Sequence, residues 1–333
     1  MSAGALPVRI RSVGSFLPRR VVRAADLDAQ LGLAPGTVFA RSGVATRPFV
    51  TDETASQMGA AAARQALDRG GLSLEDLDAV VCASGTFEQP VPCTAALVLR
   101  ELGGAGMGLA AFDVDATCLS FVVALDLVSA LIAVGRYRRV LVVSTEIASC
   151  GLNWKELESA AILGDAAAAC VLERSDAPGS ALLAARIATY PEGAHLTEVR
   201  AGGSRVPGKR WTPETDADYH FHMDGPRVFR AAAERLPGFL REVLAQAERT
   251  MDDVRLLVPH QASPLALRHF RRKLALPEDR FFDMSAEVGN TIAASIPLAL
   301  CRAVEAGRVE RGDTLLLAGT GAGLSLGAAV LVY

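Results

Sequence analysis

Two hydrophobic patterns alternate along this chain. Short apolar runs bounded by turn formers read as strands buried on both faces, and longer Ala-, Val- and Leu-rich stretches read as helices. Leu109 to Val114 (LAAFDV) has the strand pattern and is predicted to be buried. Phe121 to Val134 (FVVALDLVSALIAV) follows as a helix apolar all round, closed by Gly135. The same order returns later: Phe282-Asp283-Met284-Ser285-Ala286 echoes Phe112-Asp113-Val114-Asp115-Ala116, and an Ala/Leu/Ile-rich helix then ends at Gly307-Arg308 as the first ends at Gly135-Arg136. Strands Val140 to Ser144 and Thr314 to Ala318 come next.

A second pair of segments repeats in step with the first. Leu74 to Val81 (LEDLDAVV) matches Met251 to Val258 (MDDVRLLV), each after a helix (Ala55 to Leu67; Val228 to Ala247) and each leading into a buried strand. Strand–helix alternation in two copies predicts a layered α/β architecture. We read residues 1–175 as one half and 176–333 as the other. Residues 176–225, rich in Gly, Pro, Thr and charge, are predicted to be an insertion or long connection.

The repeat brings chemistry together. Cys118, in Ala116-Thr117-Cys118-Leu119-Ser120, falls between a strand and the N-terminus of the apolar helix. On its own it reads equally as a packed structural thiol. At a helix N-terminus the orphan N–H groups and the dipole favour thiolate, drawing its pKa below the usual ~8.5. Counting back from the two closing glycines, Cys118 stands 17 residues before Gly135 and Asn290 stands 17 before Gly307, which makes them equivalent positions. His260 ends the second-half strand at Val258-Pro259-His260-Gln261, where Ala83 is its first-half counterpart. Cys, His and Asn at the strand and helix ends of a duplicated fold make a candidate catalytic set. The run Gly319-Thr320-Gly321-Ala322-Gly323-Leu324 is not a dinucleotide fingerprint, because Leu324 stands where the third glycine belongs. It reads as a turn whose backbone N–H, with that of Cys118, forms an oxyanion hole.

Composition narrows the partners. The 333-residue chain is half apolar with a net charge of −3, which argues against nucleic acid or an anionic membrane as the main partner. The N-terminal MSAGALPVRIRSVGSFLP lacks a signal-peptide core, and no apolar stretch reaches spanning length, so a soluble cytoplasmic protein is expected. Of six cysteines, Cys82, Cys170 and Cys301 lie in apolar runs, Cys93 and Cys150 lie near loops, and none has metal-site spacing with His, so no metal is expected.

The motifs Asp115 to Phe121 (DATCLSF), Val258 to Ala262 (VPHQA), Gly289 to Pro297 (GNTIAASIP), Leu163 to Ala168 (LGDAAA) and Gly323 to Gly327 (GLSLG) are collinear over nearly the whole chain. In these the sequence resembles the thiolase superfamily, specifically β-ketoacyl-acyl carrier protein synthase III. The resemblance implies a homodimer of five-layered αβαβα subunits and a ping-pong reaction without a bound cofactor. Cys118 would take an acyl group from a coenzyme A or phosphopantetheine thioester. His260 and Asn290 would hold the carbonyl of a malonyl-type thioester as it loses carbon dioxide, and the N–H groups of Cys118 and Gly323 would hold the acyl oxyanion. For substrate or carrier contact the candidates are Ser263, just after the His motif, and Phe229; the basic run Arg268, Arg271 and Arg272, one helix beyond His260, reads either as a solvated helix face or as a dock for an acidic acyl carrier protein. Glu88 lies in the loop from which non-decarboxylating relatives offer a Glu across the dimer. Thr37 and Leu157 stand where the family places an adenine-stacking Trp and its Arg, and Gly225-Pro226 replaces a Gly-Asn or Gly-Arg, which favours a carrier-protein or unusual acyl donor. Three functions are weighed: decarboxylative condensation in fatty-acid or specialised polyketide synthesis; transfer of the same acyl group to an alcohol or amine, or joining of two acyl chains without decarboxylation; and a non-catalytic partner subunit, against which the intact Cys118, His260 and Asn290 argue.

Overall fold

The computed structural model describes residues 4–176 and 179–333. The first three residues of the N-terminal segment and residues 177–178 of the expected connection lie outside them. The elements that position the site are β1 (Val8–Phe16), α1 (Ala55–Gly70), β2 (Ala79–Ala83), β3 (Ala110–Val114), α2 (Ser120–Ala133), β4 (Arg139–Glu146), β5 (Ala166–Arg174), β6 (Ala181–Thr189), α3 (Gly225–Gln246), β7 (Leu256–Pro259), α4 (Pro264–Lys273), α5 (Ser295–Glu305), β8 (Thr314–Gly321) and β9 (Ser325–Val332).

These strands form two sheets, ordered β1-β5-β4-β2-β3 and β6-β9-β8-β7. In the first, β2 runs parallel to β4 and β3, while β5 is antiparallel to β4 and β1. The second repeats this, with β7 parallel to β8 and β9 antiparallel to β8 and β6. A single parallel bridge from Phe281 to Leu257 stands where β3 stands in the first sheet.

Strand periodicity explains the layering. Along β4, Val140 and Val142 enter a central core while Leu141 and Val143 pack outward against α1. Along β8, Leu315 and Leu317 enter the same central core and Leu316 and Ala318 pack toward α3. A strand with apolar residues on both faces needs a helical layer on each side. Between the sheets lie α2 and α5, whose Phe121, Leu125, Val128, Ile132, Ile296 and Leu300 are buried. The result is the five-layered αβαβα fold.

Two expectations need correction. The strand Ala110–Val114 is not buried but is the edge of the first sheet, with its residues half-buried and Asp113 exposed. Asp113 accepts the Thr94 and Ala95 backbone N–H groups at 2.8 Å each, capping the helix Thr94–Glu101 beside it. Within the expected connection 176–225, Ala181–Thr189 is a nine-residue strand of the second sheet. Its small side chains (ALLAARIAT) carry little of the usual strand signal.

Leu317 is fully buried on the central face of β8. Leu317→Ala should lower the urea-unfolding free energy by about 3 kcal/mol, transfer and cavity contributions together.

Candidate active site

Both central helices begin with the same tight turn. Before α2 the turn Thr117–Leu119 has Thr117 at φ +53°, and its N–H donates to Asp115 Oδ1 at 2.8 Å. Before α5 the turn Ile292–Ala294 has Ile292 at φ +49°, and its N–H donates to Asn290 Oδ1 at 2.9 Å. The structural counterpart of Cys118 is therefore Ala293, and that of Asn290 is Asp115, three residues from the pairing predicted by counting back from Gly135 and Gly307. The count failed because α2 has 14 residues and α5 has 11. His260, by contrast, directly follows Pro259, which pairs with Ala318, and donates its N–H to Ala318 O at 2.8 Å, as its predicted correspondence with Ala83 requires.

Cys118, His260 and Asn290 all line one cavity of about 410 Å³. Its walls include Phe229, Ser263 and the backbone at Gly321 and Ala322. The thiol is not activated as the helix-end argument expects: its pKa is pushed up to about 12, chiefly by burial and next by the nearby Glu146 carboxyl, against the lowering effect of the backbone N–H groups of Ala322 and Cys118. Desolvation exceeds what the N–H donors return, so the free thiol is protonated. The loop donor that reaches the sulfur belongs to Ala322, one residue before the expected Gly323. Gly321 is where β8 runs tight against the Cys118 turn, since a Cβ there would stand 2.9 Å from Thr117 Oγ1.

His260 is 4 % exposed, and its Nδ1 lies 2.6 Å from Ser295 Oγ. Burial lowers its pKa to about 4, so the ring is neutral and carries a single N–H. Ser295 Oγ also accepts the Gln261 N–H at 3.3 Å, and with the Ser295 proton turned to Nδ1 the imidazole hydrogen stands on Nε2. Asn290 uses Oδ1 on the Ile292 N–H, leaving its amide nitrogen as the free end. Its backbone is clamped by Asn290 N–H to Ile162 O at 2.7 Å and Gly164 N–H to Asn290 O at 3.0 Å. Only a glycine fits at 164, because a Cβ would stand 2.2 Å from Val288 O.

Sequence reasoning missed Ser295, Glu146, Arg41 and Glu158. Glu146, at the end of β4, is fully buried. It accepts N–H bonds from Gly85 (2.6 Å), Thr86 (3.0 Å) and Ala293 (3.3 Å) and meets Thr86 Oγ1, tying the loop after β2 to the turn before α5. Burial raises its pKa to about 8, against those hydrogen bonds. Arg41 and Glu158 line the cavity with Gly225 and Pro226. A glutamate at a strand end reads as solvated, and no local signal marked these positions.

The other expected contacts divide. Phe229 and Ser263 line the cavity; Ser263 also caps α4 through the Ala266 N–H at 3.2 Å. Arg268 and Arg272 point to solvent, Arg271 pairs with Glu278 at 2.8 Å, and none of the three lines the cavity. Glu88 does not face the cavity: it accepts the Ser56 N–H at 2.7 Å and so caps α1. Thr37 opens the short helix Thr37–Ser42 and Leu157 opens Leu157–Ala160. Among the described residues no group of three or more His, Cys, Asp or Glu could hold a metal, and no helix is long and apolar enough to cross a membrane.

A thiol, an imidazole N–H donor and a free amide around one cavity, on a thiolase-type fold, define the class of acyl-transferring condensing enzymes. The family description 3-oxoacyl-[acyl-carrier-protein] synthase III matches residues 112–191, and that of its C-terminal part matches residues 244–333. A β-ketoacyl-[acyl-carrier-protein] synthase III 3 of Streptomyces coelicolor is 38% identical over 97% of this chain and 96% of that protein. The solved 3-oxoacyl-[acyl-carrier-protein] synthase III of Aquifex aeolicus superposes with a TM-score of 0.88 at 32% identity, covering 98% of this chain and all of that one. The priming β-ketosynthase of the R1128 polyketide pathway superposes with a TM-score of 0.87 at 31% identity, over 98% and 96% of the two chains. The chain belongs to the β-ketoacyl-[acyl-carrier-protein] synthase III family.

Glu146 generates a prediction with a fixed sign. A carboxyl whose pKa rises from 4.5 in the open chain to about 8 in the fold contributes stability that is full below pH 4.5 and lost as pH climbs through 8. Glu146→Gln cannot ionise. In urea unfolding at about pH 5 and about pH 8, wild type should lose stability relative to the Gln variant on going up; a flat or opposite difference would mean that Glu146 is ionised inside the fold.

Proposed function

We propose that this chain is a decarboxylative condensing enzyme that carries an acyl group on Cys118. The observation behind this reading is that Cys118, His260 and Asn290 share one cavity, with the Ala322 N–H directed at the sulfur. An acyl thioester enters from coenzyme A or a carrier protein, and Cys118 Sγ attacks its carbonyl carbon. The developing oxyanion is held by the N–H groups of Cys118 and Ala322, and the Cys118 proton leaves with the departing thiol. A protonated resting thiol suits this step, since no free thiolate has to be kept at the half-buried Cys118.

A malonyl-type thioester follows. Its carbonyl oxygen receives the His260 Nε2–H and the Asn290 amide N–H; carbon dioxide leaves, and these two donors stabilise the enolate charge that appears on that oxygen. The enolate carbon attacks the acyl-Cys118 carbonyl, the C–S bond breaks, and a β-ketoacyl thioester departs. His260, with a pKa near 4, acts here as a donor and not as a base. Only thioesters are consumed, and no resident cofactor enters the scheme.

We further propose that the enzyme is a cytoplasmic homodimer. The free edge of β3 ends the first sheet, and Phe87 (63 % exposed) and Val91 (80 % exposed) sit in the loop beside it, where the Cys93 Sγ reaches the Ala111 carbonyl. An open apolar strand edge is a pairing template, and a second copy would cover it.

Two measurements check the mechanism. Intact-mass analysis after incubation with acyl-coenzyme A and acyl-carrier donors should show one acyl adduct on wild type and on Asn290→Ala, and none on Cys118→Ala; Asn290→Ala should then lose malonyl decarboxylation by about 10²-fold or more. The pH profile of that decarboxylation should show no acid limb from His260 until pH falls toward 4, because its imidazole is neutral above that value. A limb near pH 6.5 would place the proton on a solvated histidine and overturn the donor assignment.

A further inference from the structure

Beside the main cavity lies a second one of about 70 Å³, between α3 and α4 and over the ends of β7 and β8. Its lining is almost wholly apolar, and alanines make the room: Ala232 and Ala233 from α3, Ala266 from α4 and Ala318 from β8. The Phe229 ring packs edge-on against His269 at 5.0 Å, and Lys273 Nζ donates to the Ala233 carbonyl, so α3 and α4 are linked across this chamber. The two cavities have Phe229, Ala232, His260, Ala262, Ala266 and Thr320 as common walls. The chamber therefore shares a wall at His260, the residue that holds the second thioester's carbonyl in the proposed reaction, with the main cavity.

An apolar space with few polar partners binds hydrocarbon in preference to water, and a cavity of about 150 Å³ is enough for benzene. By that measure this chamber takes about two or three carbons. We propose that it is a subsite for a short alkyl branch on the α-carbon of the second thioester, so that the enzyme accepts alkylmalonyl-type extenders. The inference rests on the condensing function proposed above. Its occupant must be small and uncharged, and it must be attached next to the carbonyl carbon that His260 and Asn290 hold. A primer chain of more than about three carbons is too long for it. In the reaction the C–C bond to the carboxylate breaks, carbon dioxide leaves, and the electron pair stays at the branched α-carbon. That carbon bonds to the acyl carbonyl carbon, the C–S bond breaks toward Cys118, and the thiolate takes a proton from water. The product is an α-alkyl-β-ketoacyl thioester.

The test uses the full-length protein loaded with acyl at Cys118 and supplied in turn with malonyl-, methylmalonyl- and ethylmalonyl-carrier thioesters. Each buried methylene is worth roughly fourfold in kcat/KM, so wild type should use ethylmalonyl at least as well as malonyl. Ala233→Leu fills the chamber from a wall that the main cavity does not share. It should cut ethylmalonyl use by about tenfold or more and change malonyl use by no more than about twofold. Ala318→Val fills it from the strand side and should act in the same direction, and thermal melts of both variants verify that they fold. Wild type that condenses malonyl and rejects both branched extenders overturns the chamber alone. So does an Ala233→Leu effect equal for all three extenders or absent for all. Failure with every extender overturns the condensing function as well.

Discussion

The centre of this molecule depends on two helix N-termini meeting between two sheets, each docked on the other half's strand. The Thr117–Leu119 turn packs on β8, the Ile292–Ala294 turn packs on β4, and the two turns touch. Neither half can therefore build its own end of the site. The Cys118 thiol belongs to the first half, and the Ala322 N–H, the His260 imidazole and the Asn290 amide all belong to the second. Because α2 and α5 are sealed in the common core, a shift of either helix would move Cys118 relative to His260 and Asn290 together.

Burial at that meeting point sets the electrostatics. Cys118, His260 and Glu146 are all pushed toward their uncharged forms, and desolvation is the largest cause in each. A site of neutral groups is well suited to substrates whose charge appears only during reaction. Fixed N–H donors act more strongly in a low-dielectric cavity, and they need not reorganise when the oxyanion or enolate forms. The expected low thiol pKa would have required a standing anion in the same confined space as the Glu146 carboxyl.

Much of the architecture was legible because strands buried on both faces leave an unmistakable run, as in Val140 to Ser144 and Thr314 to Ala318. Cys118, His260 and Asn290 could be picked out as one candidate set by where they fall at strand and helix ends. The correspondence of Cys118 with Asn290 could not be read correctly, because a helix apolar on every side gives no sign that one copy is three residues shorter. The strand Ala181–Thr189 was hidden by its alanines, and the edge position of Ala110–Val114 by an apolar composition that a buried strand would share. Thr117 and Ile292 take a left-handed conformation unusual for their residue types, and nothing local announces it.

The corrected symmetry explains why a duplicated fold offers one candidate reactive centre and not two. Cys118 faces the β8 end, where Gly321 carries no side chain to crowd the Thr117 turn and Ala322 offers an N–H. Its mirror position holds Ala293, which has no nucleophile, and there β4 ends in Glu146, the register equivalent of Gly321. The Glu146 carboxyl takes the Ala293 N–H, the counterpart of the Cys118 N–H that would hold an oxyanion. The mirror centre is thus occupied by a side chain that takes the N–H equivalent to that of Cys118. The same side chain ties down the loop Gly85-Thr86. In the pseudo-symmetry one centre holds the proposed chemistry and the other holds the Glu146 brace beside it.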